Sequence, residues 1–92
     1  MILSFKCKYT EKLHKREVVK QFFSISDQAR KKLYMLNTTV CLEDLTVPPS
    51  NRLELLKGDR KHQHSIRINN QWRVCFTWRD GNAYDVEIID YH

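Results

Sequence analysis

Apolar and polar residues alternate through the second half of the chain, and this period of two is typical of half-buried β-strands. Ile66 and Ile68 alternate with polar neighbours over residues 64–69. The next two runs predict buried faces made of Trp72, Val74, Phe76 and Trp78, and of Tyr84, Val86 and Ile88. The Asp80-Gly81 pair between these runs is a strong signal for a tight hairpin. Together the three runs predict an antiparallel meander.

The first half of the chain changes to a helical pattern after a short strand expected over residues 2–5. A weak, highly charged helix is predicted over residues 9–19, with Thr10 as its N-cap. A stronger helix is predicted over residues 27–37, where one face carries Ala29, Leu33 and Leu36. Ser26 or Asp27 is expected to cap this second helix.

A further helical turn is expected over residues 42–45, and Pro48 and Pro49 then separate the helices from the strands. The whole chain, residues 1–92, is therefore predicted to form one small α+β domain. Its curved, mainly antiparallel sheet would pack against two helices.

Two positions break the alternation in the second half. Ile88-Ile89 places two apolar residues in succession, which indicates either a strand end buried on both sides or a β-bulge. Arg73 lies between apolar positions of a strand expected near the middle of the sheet. Because a buried cation is unfavourable, Arg73 must reach an open face or meet an anion.

Charge adds a first functional indication. The 92 residues carry a formal net charge of +5, with a pI of about 9.3, which favours a polyanionic partner such as nucleic acid, an anionic membrane or an acidic protein. No apolar stretch is long enough to span a bilayer, and the charged start is expected to be a mature strand rather than a signal peptide. Three widely spaced cysteines argue against a disulfide framework and favour the reducing cytoplasm.

Side chains suited to acid–base chemistry and to phosphate binding are concentrated in the second half of the chain. They are Lys57, Arg60, Lys61, His62 and His64 in a predicted loop, Arg67 and Arg73 on strands, and Asp90, Tyr91 and His92 at the end. A meander can bring a loop, a strand face and a last strand together. The result would be a cationic site bordered by a tyrosine and a histidine.

This set suits cleavage of RNA without a metal or other cofactor. The reaction needs a base for the 2′-hydroxyl proton, a cation for the charge on the scissile phosphate and an acid for the departing 5′-oxygen. His92 is suited to acid or base chemistry near neutral pH, and Tyr91 can contact phosphate or stack on a base. The His62-x-His64 pair lacks a third ligand at suitable spacing, so no metal site is predicted.

Each of these residues also has an alternative without catalysis. Tyr91 could be an ordinary strand aromatic and His92 a solvated side chain. Asp90 could cap the strand end or pair with Arg73, and the basic loop residues could serve only solubility. The residues alone therefore support a small basic α+β domain that binds nucleic acid.

Three segments resemble the HigB-type toxins of bacterial toxin–antitoxin pairs, which belong to the RelE superfamily of ribosome-dependent messenger-RNA endonucleases. The segments are LLKGDR (55–60), SIRINNQWRVCF (65–76) and DGNAYDVEIIDYH (80–92), with a weaker likeness in the opening MILSF. The likeness covers the second half of the chain. Its combination of KGDR, a central WR and a closing DYH is specific.

The resemblance implies a small sheet with two helices on one side and a cytoplasmic bacterial toxin that cuts messenger RNA in the ribosomal A site. It also implies silencing by a HigA-type antitoxin with a helix-turn-helix domain. Operator DNA would be bound only through the complex with that antitoxin. No membrane partner and no cofactor are expected.

The same resemblance assigns roles by matching motif. Lys57 and Arg73 would hold and neutralise the scissile phosphate. Asp90, Tyr91 and His92 would line the catalytic centre, with His92 as the best candidate for proton transfer. RNA contacts are assigned to Arg60, Lys61 and Arg67.

One position departs from some members of the family, in which a histidine stands three residues before the loop lysine. This chain has Glu54 there, before Lys57. Either Glu54 replaces that histidine in acid–base chemistry, or His92 takes over the work. His64 raises the same question because it is close in sequence.

Two other hypotheses remain open from the sequence. The protein could be a non-catalytic basic module that blocks translation by binding RNA or the ribosome. The basic trio Arg30, Lys31 and Lys32 is expected to be a solvated helix surface rather than an RNA contact, but it could also dock an acidic segment of the antitoxin.

Overall fold

The computed structural model describes residues 1–60 and 62–90 of the chain. Three predicted site residues, Lys61, Tyr91 and His92, lie outside the described residues. Within the described ranges the chain forms helices α1 (Lys8–His14) and α2 (Ser26–Thr38) and strands β1 (Glu54–Leu55), β2 (His64–Arg67), β3 (Trp72–Arg79) and β4 (Asn82–Asp90). The strands form one antiparallel sheet in the order β1-β2-β3-β4, which confirms the predicted α+β class.

The core lies between one face of the sheet and the two helices. The predicted apolar face of α2 is confirmed, since its three residues are fully buried. They pack with the inward positions of the strands in one cluster that includes Ile66, Val74, Phe76, Val86 and Ile88. The opposite face of the sheet is therefore left for other contacts.

Helix α1 is shorter than the predicted helix over residues 9–19. It ends at His14, and Arg16 adopts a left-handed backbone with φ of 67°. The Glu17 N–H then donates to the Lys12 carbonyl at 3.0 Å, which closes the helix end. This reversal lets Val19 turn inward, where it is 3% exposed.

The predicted caps of both helices are wrong. Thr10 lies inside the first turn of α1 and is fully buried; its hydroxyl accepts a hydrogen bond from the Ile88 N–H at 3.0 Å. Ser26 already has helical dihedral angles, because α2 continues directly from a 3-10 turn over Lys20–Ile25. Its hydroxyl donates to the Phe22 carbonyl at 2.9 Å instead of capping α2.

Strand β4 contains a bulge that the alternation did not predict at this position. Asp85 has φ of 53°, and the register with β3 shifts between Cys75 and Thr77. As a consequence Ala83, rather than Tyr84, occupies the buried face together with Val86 and Ile88. The Tyr84 ring instead lies 4.3 Å from the Arg79 guanidinium.

The N-terminal segment pairs with β4 around this bulge. Ile2 and Phe5 form isolated parallel bridges with β4, so the strand predicted over residues 2–5 is an interrupted extended segment. The Asp85 N–H, at the bulge, donates to Ser4 Oγ at 2.9 Å instead of to a neighbouring strand.

The predicted hairpin is confirmed. Asp80 and Gly81 form a two-residue connection between Arg79 and Asn82, and both have positive φ, at 54° and 76°. Such a turn follows the twist of an antiparallel pair. In the described part of the chain, no helix is both long and apolar enough to cross a membrane.

Candidate nucleic-acid interface

The sheet face turned away from the helices, here called the outer face, carries the charged strand residues. Cross-strand pairs place these side chains on one side of the sheet, because directly opposed residues point the same way. In the paired region before the bulge, the outer face consists of Glu54, Ser65, Arg67, Arg73, Cys75, Glu87 and Ile89.

Arg73 is the central cation of this face and is only 6% exposed. Its Nε donates to Ser65 Oγ at 2.7 Å, and its Nη2 donates to the Arg52 carbonyl at 2.6 Å and to the Ser65 carbonyl at 3.3 Å. These bonds explain how a guanidinium is tolerated in mid-sheet. They also hold it in one orientation.

Glu54 lies beside Arg73, with 3.8 Å between Glu54 Oε1 and Arg73 Nη2. The carboxylate is 45% exposed, and it helps to line a shallow cavity with Lys57 and Arg60. Lys57 itself is exposed at the start of the loop. Glu54 thus lies beside Arg73 and shares a cavity with Lys57, and the catalytic roles assigned to these residues stay predictions.

A second shallow cavity includes Arg73 in its lining. It is lined by Arg52, Arg67, Asn69, Asn70 and Arg73. Arg67 is the direct cross-strand partner of Arg73. The sequence pattern did not identify Arg52 as a site residue, because its place depends on the turn after the prolines.

The loop that follows β1 is fastened to β4 through Arg60. The Arg60 Nη1 donates to Glu87 Oε1 at 2.7 Å and to Gln63 Oε1 at 2.9 Å. Lys6 Nζ lies 3.8 Å from the same Glu87 oxygen. The Leu56 N–H donates to the Gln63 carbonyl at 2.8 Å and closes the base of the loop. The hydrogen bond between Arg60 and Glu87 is the main reason that the pKa of Arg60 is raised.

Cys75 lies among these charges but is fully buried. Burial raises the pKa of its thiol to about 11, while the nearby charges of Arg60, Glu87, Arg73 and Glu54 partly offset one another. A thiol with so high a pKa is not a nucleophile at neutral pH.

His64 does not join the outer face. Its cross-strand partner is Phe76 in the core, and the two rings stack with centroids 6.2 Å apart. Burial lowers the pKa of this histidine, and among the described residues its buried Nδ1 has no hydrogen-bond partner. His64 is therefore not in position to replace the missing family histidine. Among the described residues, no group of three or more His, Cys, Asp or Glu side chains could hold a metal ion.

Asp90 ends β4 one residue beyond Ile89, the cross-strand partner of Arg73. Its exposed carboxylate accepts a hydrogen bond from Gln71 Nε2 at 3.1 Å. Its direct cross-strand partner is Trp72, so Asp90 lies one position along from Arg73 and on the opposite side of the sheet.

Comparison with protein families gives a match over almost the whole chain. Residues 3–92 match the family described as the RelE-like toxin HigB of type II toxin–antitoxin systems. Toxin HigB-1 of Vibrio cholerae is 38% identical over 94 aligned positions, covering 100% of this chain and 98% of that protein. Endoribonuclease HigB of Proteus vulgaris is 42% identical over 41 residues, 45% of each chain.

Solved structures give the same fold at lower identity. A substituted YafQ from Escherichia coli aligns with a TM-score of 0.63 and 11% identity, covering 98% of this chain and 93% of its own. The YoeB–YefM toxin–antitoxin complex from Staphylococcus aureus contributes a chain with a TM-score of 0.58 and 21% identity, covering 100% and 98%. These likenesses support the architecture of a small sheet with helices on one side.

Proposed function

This chain belongs to the HigB family of RelE-like toxins of type II toxin–antitoxin systems, and from that membership we propose that it is an endoribonuclease that cuts messenger RNA in the ribosomal A site of the bacterial cytoplasm. One observation carries the proposal. Arg73 is fixed on the outer face, where it lines a cavity with Arg52 and Arg67 and contacts Glu54, which lines a second cavity with Lys57 and Arg60. The name of the Proteus vulgaris relative supports RNA cleavage as the activity.

The proposed reaction uses the RNA's own 2′-hydroxyl as nucleophile. A base removes its proton, the 2′-oxygen bonds to phosphorus, and the 5′-oxygen leaves with a proton from an acid. Arg73 and Lys57 stabilise the charge on the phosphate, and His92 is the group suited to proton transfer. Asp90 and Tyr91 complete the centre, and no metal or other cofactor takes part in this scheme.

The test maps new 5′ ends on ribosomes programmed with a defined messenger. His92→Ala should lower the single-turnover cleavage rate by about 10²–10⁴-fold, the usual contribution of a general acid or base. Lys57→Ala should also slow cleavage, and because Lys57 is exposed the fold should be preserved. Lys20→Ala, an exposed cation on the helix side of the core, is the matched control.

Substitution of Arg73 needs a separate control. Arg73→Ala would leave the buried Ser65 and Arg52 acceptors unpaired, so lost activity could reflect lost stability. Circular dichroism and urea unfolding must therefore accompany this variant. Wild-type cleavage by both His92→Ala and Lys57→Ala at equal concentration would contradict the proposed site.

A non-catalytic block of translation is the second candidate function. The observation that favours it is Glu54, a half-exposed carboxylate at the position where some relatives have a histidine. Translation arrest with intact messenger on the same programmed ribosomes would support blocking. New 5′ ends would exclude it.

For the antitoxin partner, the structure offers a surface on the helix side. Val18, Phe23 and Tyr34 are 80%, 74% and 66% exposed. Val18 and Phe23 line one shallow cavity, and Tyr34 lines a second with Arg16 and Lys31. Arg30 and Asp27 line both cavities, and Asp27 is the single acid among these lining residues. We propose that an acidic antitoxin segment with apolar anchors covers this surface, and that operator DNA is reached only through a helix-turn-helix domain of the antitoxin.

The predicted basic trio contributes to this surface unequally. Arg30 donates to the Leu13 and Glu17 carbonyls, and Lys32 donates to Asn51 Oδ1, so Lys31 is its exposed member. Phe23→Ser and Lys31→Glu should weaken binding of the co-expressed antitoxin and leave cleavage unchanged. Unchanged antitoxin affinity in both variants would contradict this docking surface.

A further inference from the structure

The cavity beside Arg73 has the chemistry of an anion site. Three arginines and two asparagines line it: Arg52, Arg67, Arg73, Asn69 and Asn70. Arg67 and Arg73 are directly opposed across β2 and β3, an arrangement that is unfavourable for like charges. A bound anion would turn this repulsion into attraction, and arginine pairs well with phosphate oxygens.

Arg52 is held in place by the fold. It has a left-handed backbone with φ of 46°, which is uncommon for a residue other than glycine. Its N–H donates to the Pro49 carbonyl at 3.1 Å, and its carbonyl accepts from Arg73 Nη2 at 2.6 Å. The backbone of Arg52 is therefore coupled to the central cation while its own side chain remains exposed.

Arg67 is oriented by the turn that follows β2. Its Nη2 donates to Asn70 Oδ1. The turn itself is fixed by Asn69, whose Oδ1 accepts from the Gln71 and Trp72 N–H groups, each at 2.8 Å. The Arg67 side chain and the backbone of Arg52 are thus held next to Arg73, which lowers the ordering cost of binding.

We propose that Arg52 and Arg67 form a second phosphate subsite, which binds the backbone phosphate of the nucleotide next to the scissile bond. The inference rests on the proposed function in one respect, since Arg73 is taken to face the scissile phosphate. Single-stranded RNA would then cross the outer face from the Lys57 cavity over Arg73 to the Arg52–Arg67 cavity. The subsite raises the affinity for RNA and fixes which phosphate lies at Arg73, whereas proton transfer is carried out by the catalytic groups proposed above.

The subsite is tested by RNA binding alone. A short fluorescent single-stranded oligoribonucleotide with 2′-O-methyl groups cannot be cleaved through its 2′-oxygens, so anisotropy reports affinity only. Titrations between about 50 and about 200 mM salt give the slope of log affinity against log salt, which falls by about 0.7 for each lost phosphate contact on a single strand. Arg52→Gln and Arg67→Gln should each reduce the slope by about this amount and weaken binding by about tenfold at low salt.

The control variants separate the possible results. Lys20→Ala removes an equal charge from an exposed position on the helix side and should leave the slope unchanged. An unchanged slope in both arginine variants, with a reduced slope in Lys57→Ala, would overturn the subsite and leave the proposed function standing. Failure of the wild-type protein to bind the isolated oligonucleotide at low salt would overturn the subsite as a binding site for free RNA, whereas the proposed function is decided by cleavage on programmed ribosomes.

A second arm identifies the source of the phosphate, which could belong to the messenger or to ribosomal RNA. One uncharged methylphosphonate linkage is placed next to the cleaved bond of a messenger on programmed ribosomes. If the messenger supplies the phosphate, wild type loses cleavage efficiency with this substrate and Arg67→Gln shows little further loss. If Arg67→Gln weakens ribosome binding equally with both messengers, the contact is to ribosomal RNA and the adjacent-nucleotide assignment is wrong.

Discussion

The ion pair between Arg60 and Glu87 should stabilise the loop that carries Lys57. Its N···O distance is 2.7 Å, and the two side chains are 36% and 14% exposed. A hydrogen bond to a charged group contributes about 1.5–3 kcal/mol, but a solvated partner reduces this toward the value of about 0–1 kcal/mol for surface pairs. We therefore expect a coupling energy of about 1.5 kcal/mol.

A double-mutant cycle in urea unfolding measures this coupling. The variants are Arg60→Ala, Glu87→Ala and the double substitution, which also cancels the separate effect of losing the Lys6 contact with Glu87. The chain offers a matched control in Glu11 and Lys15, whose 3.3 Å ion pair joins side chains that are 44% and 62% exposed. That pair should give only about 0.3–0.5 kcal/mol.

The functional consequence should appear in the cleavage rate. Glu87→Ala removes a negative charge from the outer face, so RNA affinity should not fall, whereas the released loop must be ordered at each turnover. A coupling of about 1.5 kcal/mol limits the loss of rate to about tenfold. The reasoning is refuted if the coupling of Arg60 with Glu87 does not exceed that of the exposed control pair, or if Glu87→Ala lowers RNA affinity while the rate stays constant.

Three further predictions concern single buried groups. Thr10→Val keeps the side-chain shape but leaves the buried Ile88 N–H unpaired, so the free energy of unfolding measured in urea should fall by about 1–3 kcal/mol. A variant as stable as wild type would show that this hydrogen bond does not stabilise the fold. Burial lowers the pKa of His64 below 6.5, so its contribution to stability is present above pH 6.5 and is lost as the pH falls through the lowered value. The fall in stability on acidification should therefore be shallower in His64→Leu than in wild type, and identical pH profiles would argue against burial of the ring. Cys75, with its pKa of about 11, should react with a thiol reagent at mildly alkaline pH only after denaturation, and prompt labelling of Cys75 in the native protein would contradict its burial.

Local signals in the sequence were sufficient for the elements whose structure is decided locally. The spacing of Ala29, Leu33 and Leu36 identified the buried face of α2, and Asp80-Gly81 identified the hairpin, because both depend on residues close together in the chain. The location of Arg73 on the outer face also follows from local patterns, because the alternation of the strands predicted the meander.

The errors occurred where distant segments decide the backbone. The bulge at Asp85 depends on Ser4, 81 positions away, and the role of Thr10 depends on Ile88, 78 positions away. No periodicity within one element reports such contacts. The predicted face of Tyr84 was wrong for this reason, because the one-residue shift at Asp85 separates the alternation of residues 82–84 from that of Val86 and Ile88.

The site residues that the sequence reasoning missed are likewise defined by tertiary contacts. Arg52 owes its position to a left-handed turn and to the bond between its carbonyl and Arg73. The location of Glu87 is set by strand pairing, because it lies directly opposite Cys75 and therefore on the outer face. An acidic residue on a face otherwise rich in arginine was the available signal, and it could be interpreted only after the register was known.

The outer face has a carboxylate beside each of two cations, and the geometry of the two pairs indicates different roles. Glu87 is 14% exposed and lies 2.7 Å from Arg60, so it is a fixed partner of the loop. Glu54 is 45% exposed and lies 3.8 Å from Arg73, a distance and exposure at which an arriving phosphate can compete for the guanidinium. We therefore expect Glu54 to serve as an exchangeable counter-ion that balances Arg73 until RNA binds. A carboxylate that must leave the guanidinium for the phosphate to enter is poorly placed to act as the base, and this favours His92 for proton transfer in the proposed mechanism.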